Sequence, residues 1–297
     1  MPSKTDPLNV LQNTSMRRPD WLKVKFGSGE TFRQVKQEIH GNHLHTVCES
    51  ARCPNLGECW SRGTATFMIL GNTCTRSCRF CNITVGKPAE YDLEEPQRVA
   101  DAVHNMRLRH AVITMVARDD LKDGGAFIIA ETIRKVKETV QDCSVEALIS
   151  DLKGSKTDLG TVLQARPDIL NHNLETVRRL QKALRVQATY DRSLNILRWA
   201  REAGFKTKSG IMVGVGEQID EIIEVMQDLR AIDCGILTIG QYLPPTRAHY
   251  PLHRYYTPDE FADLRELGFE LGFTHVESGP LVRSSYHAEE AISLPPK

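Results

Sequence analysis

GNTCTRSCRFCNITVG, residues 71–86, is the stretch whose reading decides the fold. Cys74, Cys78 and Cys81 are separated by three and two residues, with Phe80 immediately before the last. Just upstream, residues 64–70 (TATFMIL) form a β-branched and apolar run that predicts a buried strand. The cysteine loop therefore leaves the carboxyl end of a strand, where α/β enzymes place their chemistry. Three thiolates this close can face one point, as a metal or cluster requires and a disulfide does not. A zinc site needs further ligands nearby, and no histidine follows before His104. Soft thiolates select zinc or iron–sulfur centres, and a cubane takes four ligands. Three cysteines would leave one iron open to a group that is not protein. The competing readings are a structural zinc knuckle or buried core thiols.

A second triplet lies just before it. HTVCESARCPNLGECW, residues 45–60, holds Cys48, Cys53 and Cys59 at spacings of four and five residues. Two incomplete triplets in one short stretch are hard to explain as core thiols, and a second cluster is the natural expectation. Its fourth ligand must come from elsewhere in the chain or from a substrate; a zinc or purely structural cluster is the alternative. Cys143 and Cys234 stand alone in apolar surroundings and read as inert core thiols.

The chain of 297 residues is long enough for one barrel-sized domain or two smaller ones. Its 38 basic and 38 acidic residues cancel, which gives no electrostatic case for a nucleic-acid partner. No apolar run approaches the ~18–20 residues that span a bilayer, so no membrane role is expected. The N-terminus has no apolar core of a secretory signal, and the expected location is cytoplasmic, where cysteines serve metals rather than disulfides. Residues 1 to about 40 are polar, with scattered apolar positions (Leu8, Val10, Leu11, Trp21, Leu22, Val24, Phe26), and read as an extension wrapping a domain.

After the 71–86 loop, strand-like and helix-like segments alternate. Strands are predicted at 64–70, 110–116, 145–149, 168–174, 207–213 and 236–242. Helices are predicted at 95–109, 125–140, 156–164, 192–203, 219–229 and 258–271; Phe127, Ile129, Ile133, Val136 and Val140 make the apolar stripe of the second. Repeated βα units imply a parallel sheet with right-handed crossovers, either a full or partial TIM-like barrel or an open doubly wound sheet. Polar residues follow several strands. Arg118, Asp119, Asp120 and Asp123 could line a ligand or cap the next helix. Asn171, Asn173 and Glu175 could bond ribose hydroxyls or belong to a plain loop. Residues 210–217 (GIMVGVGE) carry glycines that permit close backbone approach to a ligand. Residues 283–287 (RSSYH) read, by composition alone, as an ordinary tail.

CxxxCxFC resembles the loop of the radical SAM superfamily, whose members leave the open iron for the amino and carboxylate groups of S-adenosylmethionine. The wider set is similar to the lipoyl synthase family: VCESARCPNLGECW at 47–60, CTRSCRFC at 74–81, RDDLKDGGA at 118–126, NHNLETV at 171–177, KSGIMVGVGE at 208–217, GQYLPPT at 240–246 and RSSYHA at 283–288. The resemblance implies an α/β fold, a partial (β/α)6 TIM-like barrel with N- and C-terminal extensions. The expected boundaries are 1–62 for the extension carrying the first triplet, 63–272 for the barrel and 273–297 for the tail. It implies two [4Fe–4S] clusters and S-adenosylmethionine as cofactors. Cys74, Cys78 and Cys81 would hold the cluster that binds S-adenosylmethionine, with Phe80 near the adenine and Asn171, Asn173, Glu175 and Met212 as cofactor contacts. Cys48, Cys53 and Cys59 would hold an auxiliary cluster whose fourth ligand is Ser285, with Ser284 as the alternative. The implied reaction inserts two sulfur atoms, taken from the auxiliary cluster, at C6 and C8 of a protein-bound octanoyl chain. The implied partners are an octanoylated lipoyl carrier (a lipoyl domain or the glycine cleavage H protein), an electron donor such as ferredoxin or flavodoxin, and an iron–sulfur carrier protein. One departure is visible: where the family pattern often reads TSVD, residues 114–117 read TMVA, and no carboxylate role falls on position 117. Rival readings are a biotin synthase-like enzyme, which would lack the first triplet and the RSSY tail, and an electron-carrying or iron-sensing cluster protein.

Overall fold

Runs of buried apolar residues separated by capped amphipathic helices build this fold. The structure, a computed structural model, describes residues 17–24, 27–88 and 91–291; the expected apolar positions Leu8, Val10, Leu11 and Phe26 of the N-terminal extension lie outside the described residues. In chain order the elements are α1 (Glu30–Gly41), β1 (His45–Thr46), α2 (Val47–Ser50), α3 (Leu56–Ser61), β2 (Thr66–Ile69), β3 (Thr73–Cys74), β4 (Thr84–Val85), α4 (Glu95–Asn105), β5 (His110–Met115), α5 (Ala126–Thr139), β6 (Ser144–Leu148), α6 (Lys156–Gln164), β7 (Ile169–Asn171), α7 (Gln181–Leu184), α8 (Tyr190–Glu202), β8 (Lys206–Val213), α9 (Ile219–Arg230), β9 (Ile236–Gln241), α10 (Pro258–Glu270) and β10 (His275–Gly279).

β2 and β9 are buried at every position, as strands covered on both faces must be. Several helices start where side chains satisfy their free N–H groups. Thr189 accepts from the Arg192 N–H at the head of α8, and Thr257 and Glu260 make a reciprocal capping box with Pro258 in the first turn of α10. Asp123 caps α5 through the N–H groups of Gly125 (3.0 Å) and Phe127 (2.8 Å). Ile129, Ile133 and Val136 of α5 are fully buried; Phe127, expected on the same stripe, is 47% exposed at the outward edge of the first turn.

The sheet runs β1-β2-β5-β6-β7-β8-β9-β10, with β1 antiparallel to β2 and every other neighbouring pair parallel. The six predicted strands are β2 and β5 to β9. Residues 273–297, expected to be an extension, contribute a seventh parallel strand, β10. Its sequence HVESG buries only Val276 fully, so apolar patterning gave no signal. β1 and β10 stand at opposite ends of the order and do not pair, so the sheet is not a closed barrel. The segment after β10 bridges this gap. Asn55 Nδ2 donates to Leu281 O (2.7 Å), Thr66 Oγ1 to Ser285 Oγ (2.9 Å) and Arg62 Nη2 to Glu289 Oε1 (2.9 Å). A side chain at Gly240 on β9 would collide with the Val282 carbonyl, so this glycine admits the returning tail.

Between strands β6 and β8 lies an ion pair. Lys208 Nζ donates to Glu146 Oε2 at 2.9 Å, and Asn171 Nδ2 donates to Glu146 Oε1 at 2.7 Å, all three residues being 1% exposed or less. Removing one partner strands a buried charge, at a cost of about 3–5 kcal/mol, whereas replacing both by apolar groups is often near neutral. Lys208→Met alone is therefore expected to lower the unfolding free energy in urea by about 3–5 kcal/mol, and Lys208→Met with Glu146→Leu to recover most of it. Equal losses in the single and double variants would contradict this.

Candidate active site

A cavity of about 610 Å³ opens along the inner side of the sheet, and all six cysteines of the two triplets line it. The sequence places them there by two local devices. Cys48 sits on the short α2, whose start is capped by Thr46 accepting from the Glu49 N–H; Cys53 follows in the turn and Cys59 rides on α3. Cys74 ends β3, and the arch to Cys81 is tied down at both sides. Thr75 donates through N (3.0 Å) and Oγ1 (2.9 Å) to Ala117 O, Arg79 N donates to Leu184 O (2.8 Å), and His249 Nε2 lies 3.1 Å from Cys81 O. At position 117, where the family pattern often has a carboxylate, only the backbone carbonyl is used.

The thiols sense one another. Burial pushes Cys48 up to about 11 and Cys59 up to about 12, with the charge of neighbouring triplet cysteines acting in the same direction on both. Burial also raises Cys53, against the opposing charge of Arg283. In the second triplet burial raises Cys78 to about 11 and Cys81 to about 12, and Cys74 adds to both. Burial raises Cys143 and Cys234 in the same way, so it is the gathering of six thiols along one cavity, and not their shift, that marks the two triplets. Among the described residues no three His, Cys, Asp or Glu side chains converge as the ligands of a single ion do. Two sets of three soft thiols facing one cavity have the donor chemistry that iron–sulfur clusters take.

The tail reaches the first set. Thr66 contacts the Cys48 thiol and donates to Ser285 Oγ, so Ser285 is held beside the first triplet. Ser284 also lines the cavity. Tyr286 OH reaches Glu58 at 3.1 Å, and Arg62 Nη1 meets His287 Nε2 at 2.5 Å, which fastens the tail to α3.

Around the second set, Phe80, Asn173, Glu175 and Met212 line the cavity. Asn173 Oδ1 is buried without a partner, an acceptor left for a ligand. Gly210 is required beneath it, since a side chain there would press on Asn173 Oδ1 and Thr238 Oγ1. Glu175 adopts a left-handed φ of 68°, strained for a non-glycine residue. Burial raises its carboxyl, with Arg185 opposing, and its charge in turn raises Cys78 and Cys81.

Asn171 stands apart from the cavity lining: its Nδ2 donates to Glu146 Oε1 on the neighbouring strand β6. The glycines of 210–217 beyond Gly210 serve the protein rather than a ligand. Gly214 lets Gln241 and the 254 carbonyl approach, and Glu217 folds back onto the N–H groups of Gly214 (2.6 Å) and Val215 (2.9 Å). Sequence reasoning missed Thr66, Arg76, Asp151, Arg185 and Gly240. Of these only Arg76 carried a signal, its place inside the cysteine arch.

Residues 68–229 match the model of the radical SAM superfamily, and residues 4–53 match that of the N-terminal domain of lipoyl synthase. The chain is 60% identical over 275 residues to lipoyl synthase of Rubrobacter xylanophilus, covering 92% of this chain and 86% of that one. It is 55% identical over 281 residues to lipoyl synthase of Bacillus subtilis, covering 94% of each. The chain belongs to the lipoyl synthase family. It is accordingly a radical SAM enzyme, and the family's cofactors are S-adenosylmethionine and [4Fe–4S] clusters. The fold agrees with solved structures: methylornithine synthase (TM-score 0.54, 16% identity, 87% of this chain and 85% of that one) and the FeFe-hydrogenase maturase HydG from Carboxydothermus hydrogenoformans (0.56, 15%, 88% and 68%) share it. No helix among the described residues is long and apolar enough to cross a membrane.

His172, within residues 171–175 (NHNLE), has a structural task. His172 Nδ1 bonds Ile149 O (2.8 Å) and Nε2 bonds Ser193 Oγ (2.9 Å), and burial lowers it from 6.5 to about 4. The unfolded chain protonates first, so the stability is full above pH 6.5 and is lost as pH falls toward 4, by up to about 3 kcal/mol. His172→Gln should flatten that part of the pH–stability curve; an unchanged slope would contradict the assignment.

Proposed function

We propose that the two triplets divide the work of sulfur insertion between the two ends of one cavity. Cys74, Cys78 and Cys81 hold the cluster that receives S-adenosylmethionine, with Phe80, Asn173, Glu175 and Met212 around the cofactor. Cys48, Cys53, Cys59 and Ser285 hold the auxiliary cluster. The observation that carries this reading is the hydrogen bond from Thr66 to Ser285, which brings a residue more than two hundred positions away in sequence to the Cys48 thiol. Ser284 has no such tie, which favours Ser285 as the fourth ligand.

When bound, these groups supply a deoxyadenosyl radical and a source of sulfur, which unactivated C–H bonds need because acid–base chemistry cannot open them. The chain's own residues position and shield. Met68, Val112, Leu148 and Met212 give the cavity an apolar wall on which an alkyl chain loses its water. Asn173 Oδ1 offers an acceptor at the cofactor end, and Arg283, beside Cys53, balances negative charge at the other. Serine oxygen is a harder ligand than thiolate, so Ser285 would hold iron less tightly than the three cysteines beside it. The substrate is an octanoyl chain attached to a protein. We propose a lipoyl domain or the glycine cleavage H protein as the carrier, a ferredoxin or flavodoxin as electron donor, an iron–sulfur carrier protein for rebuilding the cluster, and a cytoplasmic location. We further propose the division into 1–62, 63–272 and 273–297 as functional segments, with β10 of the last completing the sheet.

The anaerobic test reconstitutes the protein with iron and sulfide, adds S-adenosylmethionine, a reductant and an octanoylated carrier domain, and weighs the carrier. The expected mass gain is that of two sulfurs, with one deoxyadenosine per hydrogen removed. Alanine at Cys48, Cys53 and Cys59 should abolish the gain while leaving deoxyadenosine formation measurable. Sulfur insertion surviving in that variant would overturn the assignment.

A further inference from the structure

Between Cys74 and Cys78 stands a charged residue that the chemistry above does not use. Arg76 is only 6% exposed, though it lies in the arch at the cavity rim. Its guanidinium makes a two-pronged contact with Asp119, Nε to Oδ2 at 2.7 Å and Nη2 to Oδ1 at 2.8 Å, and Nη2 also donates to Asp151 Oδ1 at 2.5 Å. Asp151, fully buried, accepts on its other oxygen from Arg192 Nη1 at 3.3 Å. Asp119 follows β5, Asp151 follows β6 and Arg192 belongs to α8. Two cations and two carboxylates thus form a neutral chain that ties the cysteine arch to two strand ends and a helix. Both neighbours of Arg76 are tied as well. Thr75 Oγ1 accepts from the Asp119 N–H (3.0 Å), and Ser77 Oγ accepts from Gln187 Nε2 (3.1 Å).

We infer that Arg76 is a positioning residue that fixes the separation of Cys74 and Cys78, using Asp119 and Asp151 as fixed points on the sheet. A planar fork held by two carboxylates in different directions fixes both the place and the rotation of the arch, which a flexible ammonium does not. This rests on the reading that Cys74, Cys78 and Cys81 hold a cluster.

Arg76→Lys and Asp119→Asn, singly and together, are prepared as cluster-loaded full chains beside the wild type and a Cys74→Ala/Cys78→Ala/Cys81→Ala control. Iron release to a chelator and the EPR spectrum of the reduced clusters with and without S-adenosylmethionine are recorded. Arg76→Lys is expected to speed iron loss from the S-adenosylmethionine-responsive cluster about tenfold. The other cluster should keep its wild-type rate, and Asp119→Asn should add little on top of Arg76→Lys. Wild-type release and spectra in Arg76→Lys would overturn the inference. So would equal loss from both clusters with a lowered unfolding midpoint, which marks general destabilisation. If the triple-cysteine control itself keeps the responsive cluster, the underlying ligand assignment fails and the inference about Arg76 is overturned with it.

Discussion

The return of the tail onto the open edge of the sheet is the constraint on which the rest of this molecule depends. A seven-strand parallel sheet with one antiparallel edge strand curves but does not close, and among the described residues nothing pairs β1 with β10. Residues Leu281 to Glu289 fill that gap through Asn55, Thr66, Arg62 and the Tyr286–Glu58 contact. Each of these bonds is modest, on the order of 1 kcal/mol. Their importance lies in the wall they complete. With it, the two cysteine sets face one chamber; without it, the first set would stand at an exposed edge. Gly240 shows how closely the return path is specified, because a single methyl group on β9 would meet the Val282 carbonyl.

The two ends of the chamber are built by different means. The arch from Cys74 to Cys81 is anchored by charge-assisted bonds and backbone contacts to β5, α7 and the loop around Tyr250, so its geometry is rigid. The first triplet rides on two short helices, of four and six residues, and borrows its fourth donor from the tail. Short helices contribute little stability of their own, so this end is held mainly by tertiary contacts.

Much of this was legible in the sequence where one residue type has one physical use. The buried strands β2, β5 and β9 read as short apolar and β-branched runs, and the cysteine spacing marked the two loops that the fold brings to one cavity. Legibility failed where the outcome depends on a neighbour distant in sequence. β10 was hidden because half-buried His275 and Glu277 interrupt its apolar pattern. Asn171 and Asn173 look equivalent in the motif, yet the first bonds the buried Glu146 of neighbouring β6 and only the second lines the cavity. Gly214 looked like a ligand cradle and is a cradle for Gln241. The RSSY tail carries no intrinsic mark of its role; its position against Thr66 supplies it.

The central claim is that Ser285 joins Cys48, Cys53 and Cys59 around one cluster. Mössbauer spectroscopy of iron-57-loaded protein lacking Cys74, Cys78 and Cys81 isolates that cluster, and Ser285→Cys introduced into the same background exchanges oxygen for sulfur at one iron. The account predicts that one iron site moves from an oxygen-ligated to a sulfur-ligated signature while the others stay unchanged. Indistinguishable spectra in the two proteins would contradict it.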